Sequence, residues 1–251
     1  MQKKQIGLIA FVSVMVVLLV ILVVKLFHDS DKQKMYTEVA EEVKVSKKVK
    51  KNQHEVDFSK LKKENSDIFA WIKVDGMKID YPVLMSSGDK DTDYYLLHNL
   101  DHSDGRPGCL YVQKEQARDF SNTNTIIYGH NMYNNGTMFN PLIQMQDEAF
   151  FNEHTKFTIE TETQRLTYKI WAAVQFSDDH LLYKYDFQTD VGKNQFISAI
   201  TSVRDMYSHV NPDVKVDETS KLVTLSTCMT KDSTHRYLVI GVLDKTVDLE
   251  D

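Results

Sequence analysis

The sequence predicts a mainly β protein: a closed barrel of about seven to eight strands, with N-terminal helices, one long helix before the strand that ends in Cys228, and an N-terminal transmembrane helix. Three observations predict it. Seven short segments rich in β-branched and aromatic residues are separated by polar turns. One segment, Val191–His209, carries apolar residues at helical spacing instead. An uncharged apolar run fills Ile6–Val24.

The run at the N-terminus comes first. Its 19 residues would span roughly 28 Å as a helix, close to a bilayer's hydrocarbon core. A cleaved signal peptide is the alternative, but no small-x-small site follows; Lys25, Leu26, Phe27, His28 and Asp29 do. Lys3 and Lys4 precede the run, and the positive-inside tendency keeps that end in the cytoplasm, with the body outside. The expected organisation is a tip and anchor over 1–27, a polar helical stalk over 28–56, and an extracellular domain over 57–251. The stalk mixes lysines and acids almost evenly. Against a formal total of −6, residues 57–251 alone carry −10, which argues against a nucleic-acid binder and suits a cationic amine substrate.

Within the body, Asp57 can cap a short helix over Phe58–Asn65. Trp71 and Ile72 lead into the turn signal Asp75-Gly76. The strand candidates are Lys78–Val83, Cys109–Val112, Thr125–Tyr128, Lys156–Glu160, Arg165–Val174, Leu222–Ser226 and Arg236–Leu243. A brief helix is expected over Asp147–His154. The longer one places Phe196, Ile200, Val203, Tyr207 and Val210 on one face, with Asp190 as its N-cap.

Two cysteines rule out a disulfide-rich scaffold. Cys228 ends an apolar strand and meets a polar loop, where Lys231, His235 or Arg236 could stabilise a thiolate. Cys109 lies inside a strand and reads as a small buried hydrophobe; a Cys109–Cys228 disulfide would consume the one accessible thiol. Arg236 opens the strand after Cys228. Antiparallel pairing would set the two face to face at one rim, where a guanidinium can bind a carbonyl or a developing oxyanion.

Nine histidines compete as acid or base. His130 lies just past an apolar strand, after a glycine that can turn the backbone; His235 and His180 stand behind it. His98 and His102 form H-x₃-H, but their setting is a loop and no third ligand is in view. No metal and no cofactor is called for.

Thr224-Leu-Ser-Thr-Cys228 with Arg236, and Asn124-Thr-Ile-Ile-Tyr-Gly-His130-Asn-Met, resemble the sortases, the membrane-anchored cysteine transpeptidases of Gram-positive bacteria. Asp67-Ile-Phe-Ala-Trp-Ile-Lys-Val, Ile79-Asp-Tyr-Pro-Val, Asp93-Tyr-Tyr-Leu and Gly136-Thr-Met-Phe-Asn fit the same family. The helix before the cysteine strand resembles the class B branch. The resemblance implies Cys228 as nucleophile, His130 as acid/base and Arg236 as substrate and oxyanion contact. It also implies Ser226 and Asn99 near the bound peptide. The implied reaction cleaves a sorting signal of Asn-Pro-x-Thr-x type at threonine. It then passes the acyl group to an amine of a peptidoglycan precursor. Two rivals stay open at this point: a membrane-tethered adhesion domain without chemistry, and a cysteine hydrolase using the same triad.

Overall fold

A computed structural model describes residues 2–45, 50–230 and 232–250, with the backbone alone at 2–10, 12, 22–31, 33 and 233. The chain opens with α1 (Gln2–Val43) and α2 (Phe58–Glu64). Strands β1 (Ile68–Val74) and β2 (Ile79–Leu84) form a hairpin, followed by α3 (Tyr94–Leu97), β3 (Leu110–Val112) and β4 (Asn124–Tyr128). A small ribbon of β5 (Asn131–Met132) and β6 (Thr137–Met138) precedes a 3₁₀ turn and α4 (Glu148–Glu153). Then come β7 (Lys156–Thr161), β8 (Gln164–Ser177), α5 (Leu181–Lys184), α6 (Asp190–Thr201) and β9 (His209–Val210). The last two strands are β10 (Leu222–Met229) and β11 (Asp232–Asp248).

The strand order is β11-β10-β4-β3-β2-β1-β7-β8, and β8 pairs back onto β11, closing an eight-stranded barrel; β9 adds to β8 outside the ring. Closure runs from Gln164↔Asp248 to Ser177↔His235, so the two longest strands lock the barrel along its whole height. The interior is apolar, with Ile72, Ile79, Phe157, Tyr168 and Tyr237 buried in one core. A second cluster of Trp171, Phe196, Ile200 and Leu238 forms where α6 packs on the outside of the sheet.

The eight-stranded barrel agrees with the expectation; the transmembrane helix does not. Among the described residues no helix is long and apolar enough to cross a membrane. Farther along, α1 turns a face to the barrel instead. Tyr36, Val39, Ala40 and Val43, at helical spacing, are buried there. Lys32 pairs with Asp101 at 2.6 Å, and the Tyr36 hydroxyl donates to the Gly108 carbonyl at 2.6 Å. Lys3, Lys4 and Lys25, which set the expected orientation, lie outside the described side chains.

Two local readings also change. Ile68–Val74 is a full strand whose side chains are nearly all buried. Both of its faces are covered, so the polar–apolar alternation that marks a strand is missing. The long helix is α6, shorter than expected, and its N-cap is Thr189, whose hydroxyl accepts from Gly192 N at 3.2 Å. It ends with Ser202 as its C-cap, and His209 and Val210, expected in the helix or on its face, pair instead with Ala173 and Ala172 of β8.

Asp67, at the foot of β1, yields a stability prediction. Its carboxylate accepts from Lys90 Nζ and from the Tyr95 hydroxyl, both at 2.7 Å. Burial raises its pKa, but Lys90, Ser87 and Tyr95 outweigh that and hold it at about 2, against an ordinary 3.8. A depressed carboxylate contributes stability above its unfolded pKa. That contribution, about 2 kcal/mol, is lost as pH falls from 3.8 towards 2. Urea unfolding at about pH 6 and about pH 2.5 should show Asp67→Asn flattening the loss of stability with acid. An unchanged acid dependence would contradict this assignment.

Candidate active site

β10 organises the cleft. On one side it pairs antiparallel with β11, and the register sets Cys228 opposite Arg236. Arg236 Nη1 donates to Cys228 Sγ at 3.3 Å. A bulge follows immediately, with Met229 opposite Asp232, and there the two strands turn. Both cysteines are free; Cys228 is half-buried and Cys109 is buried.

On its other side β10 runs parallel to β4, ending at Ser226↔Tyr128. Hydrogen bonds then continue past the strand. Gly129 N donates to the Ser226 carbonyl at 3.1 Å, and the Thr227 hydroxyl donates to the Gly129 carbonyl at 2.7 Å. Asn131 Nδ2 donates to the Cys228 carbonyl at 2.9 Å and to Thr230 Oγ1 at 3.0 Å. His130 is thus stitched to the cysteine strand on both sides. Only glycine fits at 129, because a Cβ there would lie 2.4 Å from Leu110 Cδ2 and 2.7 Å from the Phe139 ring.

The half-buried imidazole of His130 is oriented by the α3 segment: Nε2 lies 2.8 Å from the Leu96 carbonyl. A carbonyl only accepts, so Nε2 carries the hydrogen and Nδ1 is left to exchange a proton. Burial pushes the His130 pKa below its ordinary value, the charge of Arg106 pushes the same way, and the Leu96 bond opposes them.

His130, Cys228 and Arg236 line one cleft of about 250 Å³. Ser226 lines it too, two residues before Cys228 on the same strand. Asn99 is not brought there. It is fully buried, and its side chain is spent on the carbonyl and hydroxyl of Ser103 and on Gly108 N. His235 pairs with Asp232 at 2.8 Å and does not line the cleft; Lys231 lies outside the described residues. His98 stacks on Tyr94 and bonds Asp104, so it is held by loop contacts.

Sequence reasoning missed the opposite wall, built by Asp93, Tyr111, Gln113 and Tyr128. It gave His180, on the rim, only a minor place as a rival acid or base. Asp93-Tyr-Tyr-Leu carried a signal as a family motif, but without a role. Gln113 carried none, because its place depends on β3 pairing with β4.

Cys109 lies 3.2 Å from the Tyr36 hydroxyl, and burial pushes its thiol up to about 12. Iodoacetamide at neutral pH should therefore label the folded protein at Cys228 alone, read by peptide mass spectrometry. Cys109 should react only after unfolding. Equal labelling of both thiols in the native state would contradict this geometry.

Comparison with known proteins agrees with the fold. The Sortase domain family model matches residues 72–244. Sortase B of Listeria monocytogenes is 30% identical over 201 residues, covering 80% of this chain and 76% of that protein. Sortase B of Staphylococcus aureus is 26% identical over 245 residues, covering 94% and 97%. The crystal structure of sortase B from B. anthracis in complex with AAEK1 superimposes with a TM-score of 0.72 at 27% identity, covering 87% of this chain and all of that one. With a cysteine, a histidine and an arginine converging at one end of an eight-stranded barrel, the chain belongs to the sortase family, on its class B branch, and is a cysteine transpeptidase.

Proposed function

We propose that Cys228, His130 and Arg236 carry out a two-step acyl transfer. It starts at the threonine of an Asn-Pro-x-Thr-x-like sorting signal and ends on a cell-wall precursor amine. The observation that carries the reading is the 3.3 Å contact of Arg236 with the Cys228 sulfur, in the same cleft as His130. The Cys228 thiolate forms an S–C bond to the threonine carbonyl carbon, and Arg236 neutralises the tetrahedral oxyanion. The C–N bond then breaks, and the leaving amine takes a proton from His130 Nδ1. In the second step the precursor amine attacks the thioester and gives its proton to His130. The new amide forms and the thiolate is released. The catalytic domain works outside the cell in this reading, where both substrates are found. Water in place of the amine would make the protein a hydrolase, so product analysis with and without an amine separates those two readings.

The active form pairs a thiolate with an imidazolium, and the depressed His130 pKa makes that imidazolium scarce at neutral pH. Turnover should be slow for that reason, and the acid limb of kcat/KM should report His130. Arg106→Gln removes a positive charge that disfavours the imidazolium. The acid limb should move to higher pH, and the plateau should rise a few-fold at low salt and less at high salt. A limb that stays put would remove Arg106 from the account.

The triad itself is tested by peptide cleavage and amine transfer, with circular dichroism to confirm folding. Cys228→Ala should form no thioacyl-enzyme. His130→Ala should lose about 10²–10⁴-fold or more, since the amine leaves unprotonated. Arg236→Lys keeps the charge but loses the planar fork of donors, and should fall on the order of 10²–10³-fold. A folded Cys228→Ala protein that still joined peptide to amine would end the proposal.

A further inference from the structure

The cleft holds polar atoms that the acyl transfer does not use. Among the described residues, five buried side-chain polar atoms lack a hydrogen-bond partner. Three of them, Gln113 Oε1, Tyr128 OH and His180 Nδ1, belong to residues that line the Cys228 cleft. Buried polar atoms are ordinarily satisfied, so an orphaned set gathered in one cleft points to a ligand that completes it.

Gln113 is 3% exposed and its orientation is fixed. Its Nε2 donates to Asp93 Oδ1 at 2.8 Å, an oxygen that also accepts from the Tyr111 hydroxyl at 3.0 Å. A carboxylate can only accept, so the amide cannot turn round, and its oxygen is the pole left over. Tyr111 and Tyr128 are cross-strand partners with rings stacked at 5.5 Å, which holds the Tyr128 hydroxyl on the same wall.

The wall therefore offers an acceptor that must receive a hydrogen and a hydroxyl that can give one. A primary carboxamide matches both: its N–H serves Gln113 Oε1 and its carbonyl accepts from Tyr128. A carboxylate of the same shape has no hydrogen to give, and it would set a second negative charge near Asp93.

We propose that Gln113, oriented by Asp93, is a specificity-determining residue that reads a primary carboxamide side chain of the sorting peptide and rejects the matching carboxylate. This rests on the acyl-transfer reading, and the test keeps the two apart.

The probes are an Asn-Pro-Ala-Thr-Gly peptide, whose Thr–Gly bond supplies the leaving amine, and the same peptide with Asp or Leu in place of Asn. Formation of the thioacyl adduct on Cys228 is followed by mass spectrometry, and kcat/KM is measured for each peptide. The wild-type protein should favour Asn over Asp by about 10²-fold or more, because a site built to receive a donor penalises its absence. Gln113→Met, similar in size but without an acceptor, should cut that ratio by about tenfold or more through loss on the Asn peptide. Asp93→Asn frees the Gln113 amide to turn, and should cut the ratio through a gain on the Asp peptide. If both folded variants keep the wild-type ratio, or lose all three peptides by one common factor, the proposal is overturned and the acyl transfer stands. If wild-type Cys228 forms no adduct with any peptide, the acyl-transfer reading fails first and takes this one with it.

Discussion

The two-sided pairing of β10 is the constraint on which the rest of the structure depends. Antiparallel pairing with β11 sets Arg236 across from Cys228, and parallel pairing with β4 delivers His130 just past the strand end. The Thr224 hydroxyl and Asn124 Oδ1 add a buried bond at 2.9 Å low in the β4–β10 pair, which fixes its register. Side chains alternate along a strand, so a slip of one residue would turn Cys228 out of the cleft and away from Arg236. The long β8–β11 ladder supports the pair from behind, because it leaves β11 no freedom to shift. The whole barrel thus serves to hold three side chains at one end of it.

The chemistry follows from how differently those side chains are placed. Cys228 is half-buried against a guanidinium that cannot lose its charge. His130 is tucked under the Leu96 carbonyl, where burial favours the neutral ring. The arrangement keeps a cation permanently at the sulfur and disfavours the imidazolium. In the proposed reaction that cation stands fixed where an oxyanion would form.

Cys228 and His130 were legible because they sit at or just past a strand end, where an apolar run meets a polar loop, and Arg236 because it opens an apolar run, although β11 itself begins four residues earlier, at Asp232. Most barrel strands were legible for the same reason. β1 was not, because Ile68–Val74 is covered on both faces and loses its alternation. The end of α6 was hidden because no proline or glycine directly follows it, and the apolar spacing runs on through Val203, Tyr207 and Val210. The transmembrane expectation came from the apolar run and its flanks. Helix beyond the run was expected, but as a solvated stalk; the composition gave no sign that Tyr36, Val39, Ala40 and Val43 pack on the barrel. Asn99 has the residue type for a peptide contact, but Ser103 and Gly108 take its hydrogen bonds. Asp93 and Gln113 could be joined only by the sheet, since 20 positions separate them along the chain.

In the proposed reaction His130, stitched to β10 and oriented on Leu96, works through Nδ1 of a depressed imidazole. Nitrogen-15 NMR of the imidazole in the folded protein measures tautomer and titration together. An Nε2–H tautomer is expected at neutral pH, with a midpoint for His130 below its ordinary 6.5. An Nδ1–H tautomer, or a midpoint at or above 6.5, would contradict that role.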